Sequence, residues 1–439
     1  MGDTGVSSVR WLASRGARLR VADSRAAPPG LAQIRSKYPQ ADIRAGSFDE
    51  ALLEGMDPVV ASPGIALREP LLRAAAARGI PVVGDVEIFA RELRRRGKAR
   101  VIGITGTNGK STVTALAGEM GRAAGLDTVV AGNIGLPVLD ALEADADAEL
   151  YVIELSSYQL ETTSSLALDA AAMLNLTQDH MDRYDSMTDY AHAKERVFQH
   201  AERRIVNRDD AWSRSMGDSS SFSFGLSEPR DEGEWGLDAS RTRILRGKKE
   251  IVELGDMAIT GLHNAANAMA AHALGSALEI PPAALSQALR EFAGLPHRVE
   301  LVARAKGVSF YDDSKGTNVG ASVAALEGFR ERVVLIAGGD GKGQDFAPLA
   351  PAVKAHARAV VLIGRDAPGI AAALGDTGVP LAAATSMQEA VEASYALAHS
   401  GDAVLLSPAC ASFDMFRNYA HRGDVFAEAA RVIAAREGP

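Results

Sequence analysis

Thr105-Gly106-Thr107-Asn108-Gly109-Lys110-Ser111-Thr112 is the stretch on which the reading of this chain turns. The apolar run Val101, Ile102, Ile104 precedes it, and Val113, Leu116, Ala117 and Met120 follow at helical spacing. Strand, glycine loop, Lys-Ser/Thr and helix form the grammar of a nucleoside-triphosphate site. Glycines let the backbone approach phosphate oxygens, and the amides at the helix start point at them. Lys110 adds positive charge and Ser111 can hold a magnesium ion. The nucleotide contacts expected from this loop are Gly106, Thr107, Asn108, Gly109, Lys110, Ser111 and Thr112. A strict P-loop has glycine where this chain has Ile104, so the neighbouring segments have to agree with it.

Outward from that loop, three α/β blocks emerge. The first runs to residue 93, with strands at Leu19 to Asp23 and Val59 to Ser62 and helices around Leu12 and from Leu31 to Lys37. Gly2 to Gly5 reads as a turn into a helix over 6–15, yet almost nothing precedes it. A doubly wound sheet would have a central strand there, so an incomplete sheet or an upstream start is expected. The second block, 94–294, places strands at Val129-Val130, Leu150 to Ile153, Ala170 to Leu174 and Ile205-Val206. Short alternating segments between 215 and 260 predict a small antiparallel insert, followed by helices over 264–278 and 282–292. The third block, 295–439, alternates helices with strands at 308–311, 333–337, 359–363 and 403–406, a parallel sheet.

Composition narrows the function. The 439 residues are 47% hydrophobic and 23% charged, and 47 basic against 56 acidic residues leave a net charge of −9. That balance argues against a nucleic-acid surface. No apolar run approaches the length of a membrane span, and no signal pattern opens the chain. Cys410 is the only cysteine, so no internal disulfide can form. In its apolar, small-residue context it reads as a buried thiol rather than a nucleophile. A cytoplasmic enzyme is the expectation.

Several polar residues end predicted strands, where open parallel sheets bind ligands. Glu154 closes the run 150–153 and is a fitting magnesium ligand; alone it is as well read as a solvated strand end. His180 sits in a loop after 170–174 and gains weight only beside Lys110 and Glu154. Lys194 shares a helical face with Tyr190, Val197 and Phe198, where an unpaired ammonium is costly. It is either a snorkelling lysine or one whose lowered pKa lets it add carbon dioxide and become a carbamate. In the third block, 312–318, 338–343 and 407–412 end three strands and bring lysines and hydroxyls together, which suits an acidic amino acid.

Taken in order, ASPGIALREP (61–70), ITGTNGKSTVT (104–114), GNIGLP (132–137), ELSSYQLETTSSL (154–166), LTQDHMDRY (176–184), GLHNAANA (261–268), GLPHRVE (294–300), DDSKGTNVGAS (312–322) and LLSPACASFDMFRN (405–418) resemble the Mur ligase family over the whole chain. The resemblance implies a Rossmann-like N-terminal domain for a UDP-sugar, a central P-loop-type ATPase α/β domain and a mobile Rossmann-like C-terminal domain. It implies an ATP-dependent amide ligase, with Mg2+, joining D-glutamate to UDP-N-acetylmuramoyl-L-alanine through an acyl phosphate and a tetrahedral intermediate. A monomer with small-molecule substrates only is expected.

The same likeness assigns residues. Lys110, His180 and Lys194 are the expected catalytic groups. Ser111 and Glu154 would hold the first magnesium, and His180 with carbamylated Lys194 the second. Asn264 and Asn267 would lie by the nucleotide, Arg298 by its phosphates and Asp313 by its ribose. Asn133 would touch the muramoyl-alanyl group, and His180 would bind substrate as well. Thr4, Asp23, Ser24, Arg25, Ser62 and Gly64 would recognise uridine. Lys315, Thr317, Lys342, Ser412, Phe413 and Tyr419 would hold glutamate. Phe413 and Tyr419 stand where relatives usually carry Leu and Phe, keeping an apolar wall; Ser24 stands where Thr is common. A sister enzyme of the family, a folylpolyglutamate synthetase-like enzyme or an L-glutamate form would differ in the amino acid. A non-catalytic nucleotide or UDP-sugar sensor would not need Lys110, Glu154, His180 and Lys194 together.

Overall fold

The computed structural model describes residues 1–97, 99–145 and 147–438. In the N-terminal block, β1 (Arg20–Asp23) pairs in parallel with β2 (Asp42–Ala45), and β3 (Val59–Val60) with β4 (Val82–Val83). These are two separate two-stranded sheets, with no ladder between them among the described residues. The first helix, Asp3–Ser14, starts earlier than the sequence suggested, so Thr4 and Gly5 lie in it rather than in a turn. Gly2 is extended, its carbonyl accepts from the Val6 amide, and Asp3 places negative charge at the helix start.

The central sheet has nine strands in the order β13-β12-β11-β10-β9-β8-β5-β7-β6. They are β5 (Arg100–Thr105), β6 (Thr128–Gly132), β7 (Leu150–Glu154), β8 (Leu168–Met173), β9 (Ala201–Asn207), β10 (Phe222–Phe224), β11 (Glu234–Leu237), β12 (Arg243–Arg246) and β13 (Lys249–Glu253). Ile102, Ile104, Leu150, Val152, Ala170 and Ala172 face one hydrophobic core; Val101, Tyr151, Ile153, Ala171 and Met173 face the other. Both faces are covered, which is why these strands read as continuous apolar runs. The expected insert is antiparallel across β11-β12-β13. It continues the central sheet rather than standing apart, because β10 runs parallel to both β9 and β11.

The C-terminal sheet runs β14-β15-β19-β16-β17-β18, with β14 (Glu300–Ala305), β15 (Val308–Asp312), β16 (Val333–Gly338), β17 (Ala357–Ile363), β18 (Leu381–Ala383) and β19 (Ala403–Leu406). It is parallel except for β14, an antiparallel edge strand that the sequence reading did not separate from the linker. Because β19 lies between β15 and β16, the three loops expected to hold an amino acid leave neighbouring strand ends. Asp340 and Ala411 exchange backbone hydrogen bonds of 2.9 and 2.8 Å, joining two of those loops directly.

Candidate active site

The glycine loop leaves β5 with Gly106 at φ +149° and Gly109 at +84°. Gly109 is the residue before the helix Lys110–Ala123, and a Cβ there would overlap the Asn267 side chain. Glycine is therefore required both by conformation and by space. Lys110 folds back so that Nζ donates to the carbonyls of Gly106 (2.9 Å) and Thr107 (2.8 Å). Ser111 Oγ accepts from Arg298 Nη2 at 2.7 Å. Burial depresses the pKa of both Lys110 and Arg298.

Around this loop the end of β7 supplies a carboxylate, the loop after β8 an imidazole and the helix Met187–Glu195 an amine. Glu154 ends β7 and is 2% exposed; its Oε1 accepts from Asn133 Nδ2 at 2.7 Å, while its buried Oε2 has no partner. Lys194, also 2% exposed, donates from Nζ to the Gly106 carbonyl at 2.7 Å and lies 4.8 Å above the Tyr190 ring. Burial, reinforced by Lys110, pushes its pKa well below that of an ordinary lysine. His180 adopts φ +59° and is pushed down to about pKa 4 by burial, so it is neutral at pH 7. The preceding Asp179 is buried, and its Oδ1 accepts from Lys342 Nζ at 2.7 Å. Burial works against that charge, but His180, Lys342 and Lys110 outweigh it and hold the carboxyl below its usual range.

The third block closes over this face. Asn108 and Asn318 exchange side-chain hydrogen bonds of 3.2 and 2.9 Å. Asp313 is pushed up to about pKa 7 by burial, against the pull of Ser407 (2.7 Å) and Arg298. Lys315 Nζ lies 3.7 Å over the Tyr419 ring, and burial with Arg298 repulsion lowers it to about 8. Thr317 is half-buried and Ser412 buried beside these groups in sequence. Phe413 is 74% exposed, so its ring stands largely in water rather than closing an apolar wall with Tyr419. Asn264 Nδ2 caps the Thr260 carbonyl at 2.9 Å and its Oδ1 accepts from Asn267 at 3.2 Å. Cys410 is buried and pushed up to about 12, as an inert thiol should be.

At the N-terminal block, Asp23 binds Arg25 (2.9 and 2.8 Å) and the chain's own terminal ammonium, while Ser24, Arg25 and Gly64 are exposed. Ser62 lies against Gly5, next to Thr4. Arg183, which sequence reasoning passed over, ties this region to the His180 loop. Its guanidinium donates to the Pro63 carbonyl (3.1 Å), pairs with Glu161 and covers the Tyr158 ring at 4.0 Å. Arg422 was also missed. It is buried, and its donors reach Ser314 Oγ (3.0 Å), the Ser314 carbonyl (2.8 Å) and the Cys410 carbonyl (3.0 Å). Its spacing with Phe426, Ala430 and Ile433 marked it as an arginine on a buried helical face.

Known proteins are similar to this chain along its length. The Mur ligase MurD-like N-terminal domain matches residues 1–84, the Mur ligase middle domain 104–275 and the Mur ligase glutamate ligase domain 297–410. The UDP-N-acetylmuramoylalanine–D-glutamate ligase of Methylobacillus flagellatus is 56% identical across 100% of this chain and 96% of its own length. The chain belongs to the Mur ligase family. Its Nitrosomonas europaea relative of the same name is 51% identical over 99% of this chain and 95% of that protein. Among solved Mur ligases, the UDP-N-acetylmuramate-alanine ligase MurC of Thermotoga maritima superposes with a TM-score of 0.61. It covers 98% of this chain and 97% of its own at 20% identity, a likeness of fold.

Proposed function

We propose that this Mur ligase uses ATP to join D-glutamate to UDP-N-acetylmuramoyl-L-alanine, in the cytoplasm and as a monomer. The full-length identity to ligases of that name carries the reading. In this reading 1–93 takes the UDP-sugar, 94–294 takes ATP and 295–439 takes glutamate.

The reaction has two steps. An oxygen of the alanyl carboxylate attacks the γ-phosphorus and ADP leaves. The glutamate amine then attacks the acyl phosphate carbonyl, and the tetrahedral intermediate expels phosphate. Such chemistry needs positioning and charge compensation more than covalent help from the protein. Lys110, Arg298 and the loop amides would draw the phosphates in, with Asn264, Asn267 and Asp313 around the nucleoside. The orphaned Glu154 Oε2, at the end of the strand that pairs with β5, and the Ser111 hydroxyl, in the first turn of the helix that follows β5, are the kind of donors a magnesium ion takes up. A neutral Lys194 amine can add carbon dioxide and release a proton, leaving a carbamate whose oxygens, with neutral His180, would suit a second ion. Bound there, the ions would neutralise charge on the transferring phosphoryl group. Lys315, Thr317, Lys342 and Ser412 would hold the glutamate carboxylates, with Tyr419 and Phe413 flanking. Asn133 would meet the muramoyl-alanyl group, and Thr4, Asp23, Ser24, Arg25, Ser62 and Gly64 the uridine.

Phosphate release from ATP with UDP-N-acetylmuramoyl-L-alanine tests this, comparing D-glutamate, L-glutamate and no amino acid. Release dependent on D-glutamate is expected. Release with L-glutamate alone would overturn the stereochemistry, and none with either would overturn the ligase reading.

A further inference from the structure

We propose that Asp179 competes with the amino-acid substrate for Lys342: its carboxylate holds the Lys342 ammonium, and an incoming substrate carboxylate must take Lys342 from it. The inference rests on the glutamate-ligase reading above and deepens it.

Three observations converge. First, Lys342 stands on the loop after β16, facing the other strand-end loops of the C-terminal sheet, yet its ammonium spans to the central block. It makes its ion pair there, at 2.7 Å, with Asp179. Second, both partners are withdrawn from water, the lysine side chain to 19% exposure and the carboxylate to 9%. A lysine held this way needs a counter-charge, and the carboxylate of an amino acid is chemically the same group as that of Asp179. Third, both partners stand on loops rather than on helices or strands. His180 beside Asp179 and Lys342 itself both adopt left-handed backbone, at φ +59° and +52°. Asp345 reinforces the junction by donating its amide to Gln178 Oε1 at 3.2 Å. The pair thus supplies Lys342 with a counter-charge and sets a threshold that a second carboxylate must exceed. An amino acid with one carboxylate, once that group is engaged elsewhere in the site, has nothing with which to displace Asp179.

A fixed interdomain latch would need the same ion pair but would keep it during turnover, and the two roles differ in sign. Asp179→Asn removes the competitor, so KM for D-glutamate should fall by about threefold or more while KM for ATP stays unchanged. In a Lys342→Gln background the same substitution should no longer change KM for D-glutamate, whereas a general electrostatic effect would persist. Asp179→Glu, which can still reach Lys342, should stay near the wild type. A rise in KM, no change, or an effect that survives Lys342→Gln would each overturn the proposal. If Asp179→Asn is folded but inactive, calorimetric binding of D-glutamate in the presence of a non-hydrolysable ATP analogue reads the same shift. If it does not fold, Asp179→Ser takes its place. Wild-type phosphate release in the same assay reports on the ligase reading separately.

Discussion

Lys110 and Lys194, 84 residues apart in sequence, donate to a single backbone oxygen, the carbonyl of Gly106, at 2.9 and 2.7 Å. Two ammonium groups cannot both stay charged at low cost around one acceptor in a buried site. Lys110 is half-buried at the mouth, whereas Lys194 is enclosed between Gly106 and the Tyr190 ring. Burial lowers the pKa of both, and it takes that of Lys194 well below an ordinary lysine's. A neutral amine is the form that reacts with carbon dioxide, so the geometry prepares the modification proposed for it.

Lys194→Ala should therefore lower phosphate release on the order of 100-fold or more. Short carboxylates such as acetate or propionate should recover part of it by placing an anion in the vacated space. Wild-type activity should also fall when dissolved carbon dioxide is stripped and return with bicarbonate. Full activity in the alanine variant would remove the carbamate from the mechanism.

The linker into the C-terminal block carries backbone strain. Gly294 at φ +92°, His297 at +61° and Val299 at +51° are all left-handed, and Val299 is β-branched. Between the last two, Arg298 is turned toward Ser111. Val299→Gly should relieve about 1–2 kcal/mol of strain in this closed form. Small-angle scattering of the ligand-free variant should then show a smaller radius of gyration than the wild type. An unchanged or larger radius would mean that the strain plays no part in closure.

Asp313 gives a pH signature. Burial raises its folded-state pKa from 3.8 to about 7, so between those values the native protein holds a proton that the unfolded chain has lost. Stability from this group is complete at low pH and is lost as pH rises toward 7. Asp313→Asn should consequently raise the melting temperature of the nucleotide-free protein at pH 8 and leave it nearly unchanged at pH 4. Thermal unfolding at the two pH values checks this; equal shifts would place the carboxylate in a more polar setting.

Arg422→Ala should be costly. It removes the Arg422 donors from the Ser314 and Cys410 carbonyls and from the Ser314 hydroxyl, which keeps only its bond to the Tyr419 carbonyl, and leaves a cavity where the guanidinium lay. A loss of about 3 kcal/mol or more is expected from denaturant unfolding. Because Arg422 holds the loop of Lys315 against that of Ser412, KM for glutamate should rise in whatever fraction remains folded.

Much of this was legible from sequence because it is local. Apolar runs at strand period, the Gly106–Thr112 loop, and the polar residues ending β7, β8, β15, β16 and β19 depend on neighbours a few residues away. The edge strand β14 and the early start of the first helix were less so. One is a short half-buried run beside a linker, and the other rests on a capping geometry set by Gly2 and Asp3.

Sequence by itself determined the α/β class, the phosphate loop and which strand ends carry chemistry, since alternation and turn chemistry act over short range. Tertiary structure alone decided the pairings: Asn108 with Asn318, Ser111 with Arg298 and Asp179 with Lys342, separated by 210, 187 and 163 residues. No local rule chooses among distant partners. Which carboxylate meets which lysine is settled only when the central and C-terminal sheets dock and water leaves the space between them.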